Sequence, residues 1–272
     1  FPLSAIIASA IRGAYSVMGF GRSYAGQVLG QNQWEWLEDT LKHSTAEANI
    51  IVSSIQVLTS NPIFESWGHF PAEKQRLLSL LGKYKKAQNT VFLSGDVHLG
   101  ELSQATFTYA DPSAPSASPH TVQLTEVTSS GLTHSCAGGR LGGLLCPLMM
   151  DMFSAHRMST DALFMGKNYG VMQVVPVENS TDRFMLKFAV KSLEQPGKIV
   201  LSHTLTIPSS LDLSTSSSSL SLASIDAPDF PVLPLPVRGL VYVLVVVVLW
   251  VVFWVARRAF RGSGQARRSK RD

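Results

Sequence analysis

The stretch that decides the fold is VFLSGDVH, residues 91–98. Its first half is apolar and typical of a buried strand, and Ser94 and Gly95 end that strand. Strand ends are where α/β proteins collect ligands, and carboxylate and imidazole groups are donors for metals such as Zn, Fe or Mn. In extended backbone, residues i and i+2 point to the same side. We therefore expect Asp96 and His98 to reach one metal ion together, with a hydrogen-bonded structural pair as the alternative.

Other segments occur in a fixed order around this stretch: LGQNQWEWLE (29–38), SSIQVL (53–58), ESWGHFP (65–71), SGDVH (94–98) and EVTSSGL (126–132). In this order and spacing they resemble the C-terminal half of the PhoD-like alkaline phosphatase/phosphodiesterase family, a branch of the binuclear metallophosphatases. The resemblance covers roughly residues 15–135 and continues more weakly to about residue 207. Several motifs in order are more specific than any one of them.

The resemblance implies an α/β (α+β) fold, the C-terminal half of a layered metallophosphatase sandwich in which helices flank two packed sheets. It also implies that Asp96 and His98 are metal ligands in a centre of two divalent or trivalent ions, of Fe, Ca, Zn or Mn. Such a centre activates water and stabilises in-line displacement on a phosphate ester. Family members carry further metal motifs upstream, which this chain lacks. We therefore expect a fragment that is inactive by itself and belongs to an active longer protein.

Two histidines in loops are weaker candidates for contact with the phosphate of a substrate. His69 lies in the segment 65–71, and His134 follows the segment 126–132. A solvent-exposed loop histidine is the alternative in both cases. Gln56, at the end of a predicted strand, is expected to orient the loop around the site without a catalytic role.

Hydrophobic periodicity predicts helices and strands on both sides of this site. The predicted helices are 31–44, with Trp34, Leu37 and Leu41 on the buried face, and 71–86, with Leu77, Leu78 and Leu81 on the buried face. The predicted strands are 49–58, 90–94, 101–109 and 121–128, followed by a late meander of 169–177, 183–190 and 198–207. The pattern by itself indicates α/β or α+β.

The chain has two cysteines, Cys136 and Cys146, with nine residues between them. Their spacing fits no common zinc motif. Two free buried thiols are one interpretation. In an oxidising compartment, a local disulfide is the other.

A run of 18 residues without a charge, 239–256, predicts a transmembrane helix over 237–257, because a bilayer core needs about 20 apolar residues as helix. A buried core helix is the alternative. The basic tail, 258–272, predicts a cytoplasmic C-terminus. The preceding domain, residues 1–207, is then luminal or extracellular, which is compatible with the glycosylation sequon at Asn179.

The segment 208–236 is rich in Ser and Pro and predicts a flexible stalk between domain and anchor. After Trp254, seven basic residues and one acid give a net charge of +6, which leaves −2 for the remainder of a chain whose total is +4. The high isoelectric point therefore belongs to the tail. It does not indicate a nucleic-acid-binding domain, and we expect no nucleic-acid partner.

Together these features predict a single-pass membrane glycoprotein that hydrolyses phosphate esters on the luminal or extracellular side with the help of metal ions. The alternative is a catalytically inactive metallophosphatase fold that serves as an anchored interaction protein. A metal-independent serine hydrolase is poorly supported, because the chain has no Gly-x-Ser-x-Gly motif.

Overall fold

The structure is a computed structural model that describes residues 3–20, 26–113, 116, 118–177, 183–207, 220–226, 230, 232–247, 250 and 253–254. Two compact units are present, Phe1–Pro231 and Val232–Asp272. The first unit contains the helices α1 (Leu3–Val17), α2 (Gln31–His43), α3 (Pro71–Lys83) and α4 (Gly139–Met152). Its strands are β1 (Asn49–Ser53), β2 (Thr90–Ser94), β3 (Gly100–Ala110), β4 (His120–Ser129), β5 (Leu163–Phe164), β6 (Asn168–Pro176), β7 (Phe184–Ser192), β8 (Ile199–Ile207) and β9 (Ser221–Asp226).

The first sheet has six strands in the order β1-β2-β4-β3-β5, with β9 also paired to β3. Strands β1, β2 and β4 run parallel, whereas β3 is antiparallel to β4, β5 and β9. The carboxyl ends of the three parallel strands therefore meet at one edge of the sheet. The loop that contains Asp96 begins at that edge, directly after β2.

The second sheet is the antiparallel meander β6-β7-β8, with Asn168 opposite Ser192 and Phe184 opposite Ile207. The three predicted strands at the end of the domain are therefore confirmed. Short connections join them, so local alternation of side chains is enough to predict them.

Helices α2 and α3 cover one face of the first sheet. Phe92 and Leu124 point from β2 and β4 into a core that includes the buried helix residues Trp34, Leu37, Leu41, Leu77, Leu78 and Leu81. The predicted buried faces of both helices are thus confirmed. Pro71 occupies the first turn of α3, where its missing N–H costs nothing.

The opposite face of the first sheet packs on the second sheet. Val91 and Val127 point to the opposite face from Phe92 and Leu124, because each lies an odd number of residues along its strand from them. They belong to a cluster that also contains Leu186, Phe188 and Val190. The result is a helix–sheet–sheet order of layers, which confirms an α+β fold. The predicted strand 49–58 ends earlier, at Ser53, because the chain turns there and Gln56 forms an isolated bridge with Ser66.

The structure corrects the predicted flexible stalk, 208–236, in its second half. Residues Ser221–Asp226 form β9, which adds to the open edge of β3, and Leu222 packs on the helix-covered core. Phe230 packs on His69 with a ring-centroid distance of 4.6 Å. Gly68 leaves room for it, since a Cβ there would lie 2.4 Å from the Phe230 ring. Residues 208–219 lie outside the described residues.

The second unit contains a helix over residues 235–247. Among the described residues, no helix combines the length and the apolarity needed to cross a membrane. Residues 248–249, 251–252 and 255–272, which include part of the predicted transmembrane segment 237–257 and the basic tail 258–272, lie outside the described residues. The transmembrane helix therefore stays a prediction.

Candidate functional site

The loop after β2 has an unusual backbone. Asp96 and His98 have φ angles of +73° and +57°, and among the described residues only Lys85 is a further non-glycine with positive φ. Such conformations cost on the order of 1–3 kcal/mol each and persist only where the surroundings enforce them. The expected extended path from Asp96 to His98 is wrong, because the chain bends through residues 96–99.

Neighbouring backbone and hydroxyl groups hold His98 in this conformation. The backbone N–H of His98 donates to Oγ of Ser130 at 2.8 Å, and the backbone N–H of Cys136 donates to the carbonyl oxygen of His98 at 2.7 Å. A third bond runs from the Ser130 N–H to the Leu99 carbonyl at 3.1 Å. The loop after β4 thus clamps the loop after β2, and both loops begin at the same edge of the sheet.

The imidazole of His98 lies against that of His134, with ring centroids 3.8 Å apart. Its Nδ1 is buried and has no hydrogen-bond partner among the described residues. Burial lowers the pKa of His98, the charge of His134 adds to the decrease, and the Asp96 carboxylate opposes it. A neutral imidazole with a buried, unpartnered nitrogen is suited to metal ligation.

Asp96 and His98 alone would fill only part of the coordination shell of a metal ion. Within the described ranges, no group of three or more His, Cys, Asp or Glu residues is arranged to hold a metal ion. Asp96 and His98 fit a metal by donor type and by the unpartnered nitrogen, but a protein metal site needs at least three or four ligands. A metal ion held here would need further ligands from groups beyond this cluster.

His69, the other predicted phosphate-contacting histidine, has structural contacts. One of its ring nitrogens, Nε2, lies 3.0 Å from the carbonyl oxygen of Phe64, and its ring packs on Phe230. Burial lowers the pKa of His69 to about 4, although the hydrogen bond to Phe64 acts in the opposite direction. His69 is therefore neutral at physiological pH and fixes the segment 64–69. Only His134 is brought to His98.

The two cysteines are joined by a disulfide, with Cα atoms 5.8 Å apart. The bond connects the middle of α4 to the loop that contains His134. The other predicted modification site, Asn179, lies outside the described residues.

A buried ionic network lies beneath the strand ends, and sequence analysis missed most of it. Glu101 is fully buried on β3 and accepts a hydrogen bond from Nε of Arg157 at 2.9 Å. Nε2 of His156 lies 3.3 Å from the same carboxylate. Burial by itself raises the pKa of Glu101, but the hydrogen bond and charge of His156 and the charge of Arg157 hold that pKa below its usual value.

Gln56 links this network to the site. Its Nε2 donates to Glu101 at 2.8 Å and to Oγ1 of Thr128 at 3.0 Å. Thr128 lies 2.9 Å from Oγ of Ser94, the last residue of β2 before the Gly-Asp pair. The hydrogen bonds of Gln56 thus join Glu101 to the carboxyl ends of β2 and β4, which is a positioning role and not a catalytic one.

Glu126 on β4 fixes the chain segment that follows β1. Its two carboxylate oxygens accept hydrogen bonds from the backbone N–H groups of Val57 and Leu58, each at 2.7 Å. Burial raises the pKa of Glu126, and these two bonds oppose the increase. The sequence offers one sign of this role, because Glu126 is the only acidic residue in a strand that is otherwise uncharged.

A cavity of about 470 Å³ opens at the carboxyl ends of β1, β2 and β4. Ser53, Ser94, Gly95 and Ser129 line it on the strand-end side. Aliphatic and aromatic side chains of the second sheet, including Phe188, line it on the other side. The cavity thus adjoins the loop that carries Asp96 and His98.

The layered fold thus carries a strand-end loop with Asp96 and with His98, whose Nδ1 is buried and has no hydrogen-bond partner among the described residues. The family model of the PhoD-like phosphatases matches residues 21–168. This match covers more than half of the chain, and the chain therefore belongs to the PhoD-like phosphatase family.

A curated relative and a solved structure are similar to the chain over part of their length. Alkaline phosphatase D of Bacillus subtilis (strain 168) is 34% identical over 79 residues, which is 26% of this chain and 13% of that protein. The solved structure of PhoD has 19% identity and a TM-score of 0.43 over 72% of this chain and 35% of the other. The chain thus spans well under half the length of both proteins.

Proposed function

We propose that this chain is part of a membrane-anchored, metal-dependent phosphatase or phosphodiesterase that acts on luminal or extracellular phosphate esters. One observation carries the proposal: Nδ1 of His98 is buried and has no hydrogen-bond partner among the described residues. His98 and Asp96 share a loop with positive φ angles, and this loop lies at the sheet edge where three parallel strands end. Membership of the PhoD-like phosphatase family supports the same activity.

Asp96 and His98 would hold one metal ion, with further ligands from outside this cluster and a second ion beside it. Bound metal ions supply Lewis acidity for the phosphate oxygens and lower the pKa of a bound water. The chain's own residues position the site: Ser130 and the Cys136 backbone fix His98, and His134 stands beside it to donate to a phosphate oxygen.

The membrane anchor is supported by the uncharged run 239–256, by the basic tail and by the exposed apolar side chains of the helix over 235–247. Leu240, Val243 and Val246 are each about 60% exposed there. A disulfide and a glycosylation sequon are typical of luminal or extracellular domains, and they support that location for the first unit.

The decisive experiment combines Asp96→Asn and His98→Ala in the longer protein to which this chain belongs. We expect the double variant to lose bound metal and to hydrolyse an aryl phosphate at least about 10³-fold more slowly, a loss of roughly 4 kcal/mol in transition-state stabilisation. Metal content and initial rates are the measurements, since removal of two donors leaves the ion without its shell.

A matched control changes an Asp and a His that face solvent. Asp39 and His43 form an exposed pair at i and i+4 on α2, with N and O atoms 3.0 Å apart. Asp39→Asn with His43→Ala should keep the metal and the rate. If Asp96→Asn with His98→Ala also kept both, the site assignment would be wrong. An unaltered longer protein that binds no metal and hydrolyses no phosphate ester would instead favour the inactive interaction domain.

A further inference from the structure

Asn168, the first residue of β6, is fully buried although its side chain is polar. Its Oδ1 accepts a hydrogen bond from Oγ of Ser129 at 2.9 Å, and its Nδ2 donates to the carbonyl oxygen of Gly166 at 2.9 Å. A third bond runs from the backbone N–H of Asn168 to the carbonyl oxygen of Gly131 at 3.1 Å. Asn168 therefore holds both the last residue of β4 and the loop that follows it.

The partners of the Asn168 amide fix its orientation. The carbonyl oxygen of Gly166 can only accept, so the amide nitrogen must face it, and the amide oxygen then faces the hydroxyl of Ser129, which can donate. An aspartate would offer the acceptor without the donor, and its charge would lie against a carbonyl oxygen. A short amide side chain satisfies both partners.

Gly131 makes room for this contact. A Cβ on Gly131 would lie 2.3 Å from Nδ2 of Asn168 and 3.0 Å from the carbonyl oxygen of Gly166. Any other residue at position 131 would therefore displace the amide or the loop. The close approach shows that the start of β6 and the loop after β4 are fitted to each other at this point.

Ser130 lies between the two residues that Asn168 holds. Its Oγ accepts from the backbone N–H of His98 at 2.8 Å, and its own N–H donates to the carbonyl oxygen of Leu99 at 3.1 Å. Because Asn168 bonds to both neighbours of Ser130, it also sets the position of Ser130. A series of hydrogen-bonded residues thus leads from Asn168 to the left-handed backbone of His98.

The second sheet gives Asn168 a fixed base. Asn168 lies opposite Ser192 of β7, and the backbone N–H of Leu193 donates to the carbonyl oxygen of Lys167 at 2.9 Å. Ladder hydrogen bonds then continue through the meander from β6 to β8. The position of the second sheet is thereby passed to the loop that fixes His98.

We propose that Asn168 is a positioning residue for the metal site: it fixes Ser130 and, through Ser130, the backbone of His98 in the geometry that ligation needs. The inference rests on the proposed metal site at Asp96 and His98. Groups that support metal ligands from behind change metal affinity by about 10- to 100-fold when they are removed. Asn168 acts here through other residues, so its role is not catalytic.

The test is a double-mutant cycle of Asn168→Ala and Ser130→Ala in the longer protein to which this chain belongs. The probe is Zn²⁺, titrated into metal-free protein against a coloured chelator, so the measurement does not depend on turnover. We expect Asn168→Ala to weaken Zn²⁺ binding about tenfold or more.

The Ser130→Ala background separates positioning from a general structural role. The link to His98 is already lost there, so adding Asn168→Ala should weaken Zn²⁺ binding by less than about threefold. A residue that only stabilises the fold would give the same loss in both backgrounds. Equal losses would therefore overturn the proposal.

Ser192→Ala is the matched control. Ser192 is buried opposite Asn168, and its Oγ accepts hydrogen bonds from the backbone N–H groups of Glu194 and Gln195, each at 3.1 Å. The change removes two side-chain bonds from the same strand pair and none from residues 129–131. It should keep the Zn²⁺ affinity, and a loss equal to that of Asn168→Ala would refute a specific role of Asn168.

Hydrogen exchange tests the same link in metal-free protein. In Asn168→Ala the backbone N–H of His98 should exchange about tenfold faster or more, because its acceptor on Ser130 is no longer held, whereas β7 should be unchanged. Ser129→Ala removes only the bond to Oδ1 of Asn168 and should give a smaller effect of the same kind, so it replaces Asn168→Ala if that variant does not fold. Unchanged exchange at His98 in a folded variant would overturn the proposal.

The Zn²⁺ titration also separates this inference from the proposed function. If the unaltered protein binds Zn²⁺ and the Asn168→Ala variant binds it equally well, the positioning role alone is refuted. If the unaltered protein binds no Zn²⁺, the metal site itself is refuted, and the inference falls with it.

Discussion

At the residue scale, the site depends on side chains placed by long-range contacts. His98 keeps a left-handed backbone because Ser130 and Cys136, more than thirty residues further along the chain, bond to its N–H and its carbonyl oxygen. Glu101, Gln56 and Arg157 likewise come from three different segments and meet in the interior. Their effects on stability can be tested one residue at a time.

Glu101→Gln should destabilise the first unit strongly. The change removes the buried carboxylate partner of Arg157 and leaves only the exposed Asp151, 3.7 Å away, and a broken buried pair typically costs about 3–5 kcal/mol. Glu38→Gln is the control, because Glu38 pairs with Lys83 at the surface, where a pair contributes about 0–1 kcal/mol. Urea unfolding of both variants measures the difference, and equal midpoints would show that the Glu101 network adds no stability.

His69 should make stability depend on pH between about 4 and 6.5. In the folded unit the pKa of His69 is about 4 because burial disfavours the charged ring, whereas the ordinary value is 6.5. The unfolded chain therefore binds a proton first as pH falls, and stability decreases through this window. His69→Gln should flatten the dependence, and His43→Gln on exposed α2 should not. Melting temperatures from pH 7 to pH 4 measure both.

At the element scale, α4 and β9 show how weak local signals give defined structure. Helix α4 contains Gly142, Gly143 and Pro147, so its local propensity is poor. The disulfide and the cluster around Phe64 compensate. Strand β9 is stabilised by the edge of β3, which offers backbone hydrogen bonds to any extended segment.

Cys136→Ser with Cys146→Ser should loosen α4 and destabilise the unit by about 2–3 kcal/mol, because the bond closes a short loop in the unfolded chain. Mass spectrometry without reduction should first find the two cysteine peptides joined. Hydrogen exchange should then be faster in residues 139–152 of the variant and unchanged in the second sheet. Two free thiols in the native protein would contradict the disulfide.

At the scale of the whole molecule, the fold continues past the meander to Phe230. Because β9 pairs with β3 and Leu222 packs on the core, we expect the folded unit to depend on β9, although the Ser-rich segment before it gives no such signal. The connection to the predicted membrane segment is correspondingly short. This changes where the chain can be cut without damage.

Truncation after Pro231 should release a folded unit, whereas truncation after Ile207 should destabilise it by several kcal/mol. The shorter form loses β9 and the packing of Leu220 and Leu222 on the core. Both leucines are partly buried, so each contributes a part of the roughly 1.5–3 kcal/mol of a fully buried leucine. Thermal unfolding of the two forms, prepared in parallel, measures the effect. Equal melting temperatures would mean that β9 adds nothing to the first unit.

Local patterns in the sequence determined the helices α2 and α3 and the meander β6–β8, and they indicated the loop 94–98 as the candidate site. Their apolar residues recur at periods of 3.6 or 2 over short distances, so each segment carries its own signal. The short strand spacing in the meander also leaves one simple pairing. The family resemblance was carried by equally local motifs.

Only the tertiary structure decided the partners of His98, the burial of Glu101 with Arg157, the disulfide between Cys136 and Cys146, and the pairing of β9 with β3. Each joins groups that are separated in sequence, or fixes one of several alternatives that the residues left open. A charged side chain can be buried only where the fold places an oppositely charged partner beside it. An additional edge strand forms only where a sheet has an unpaired edge. Such conditions are properties of the assembled core, and no single segment of the chain encodes them.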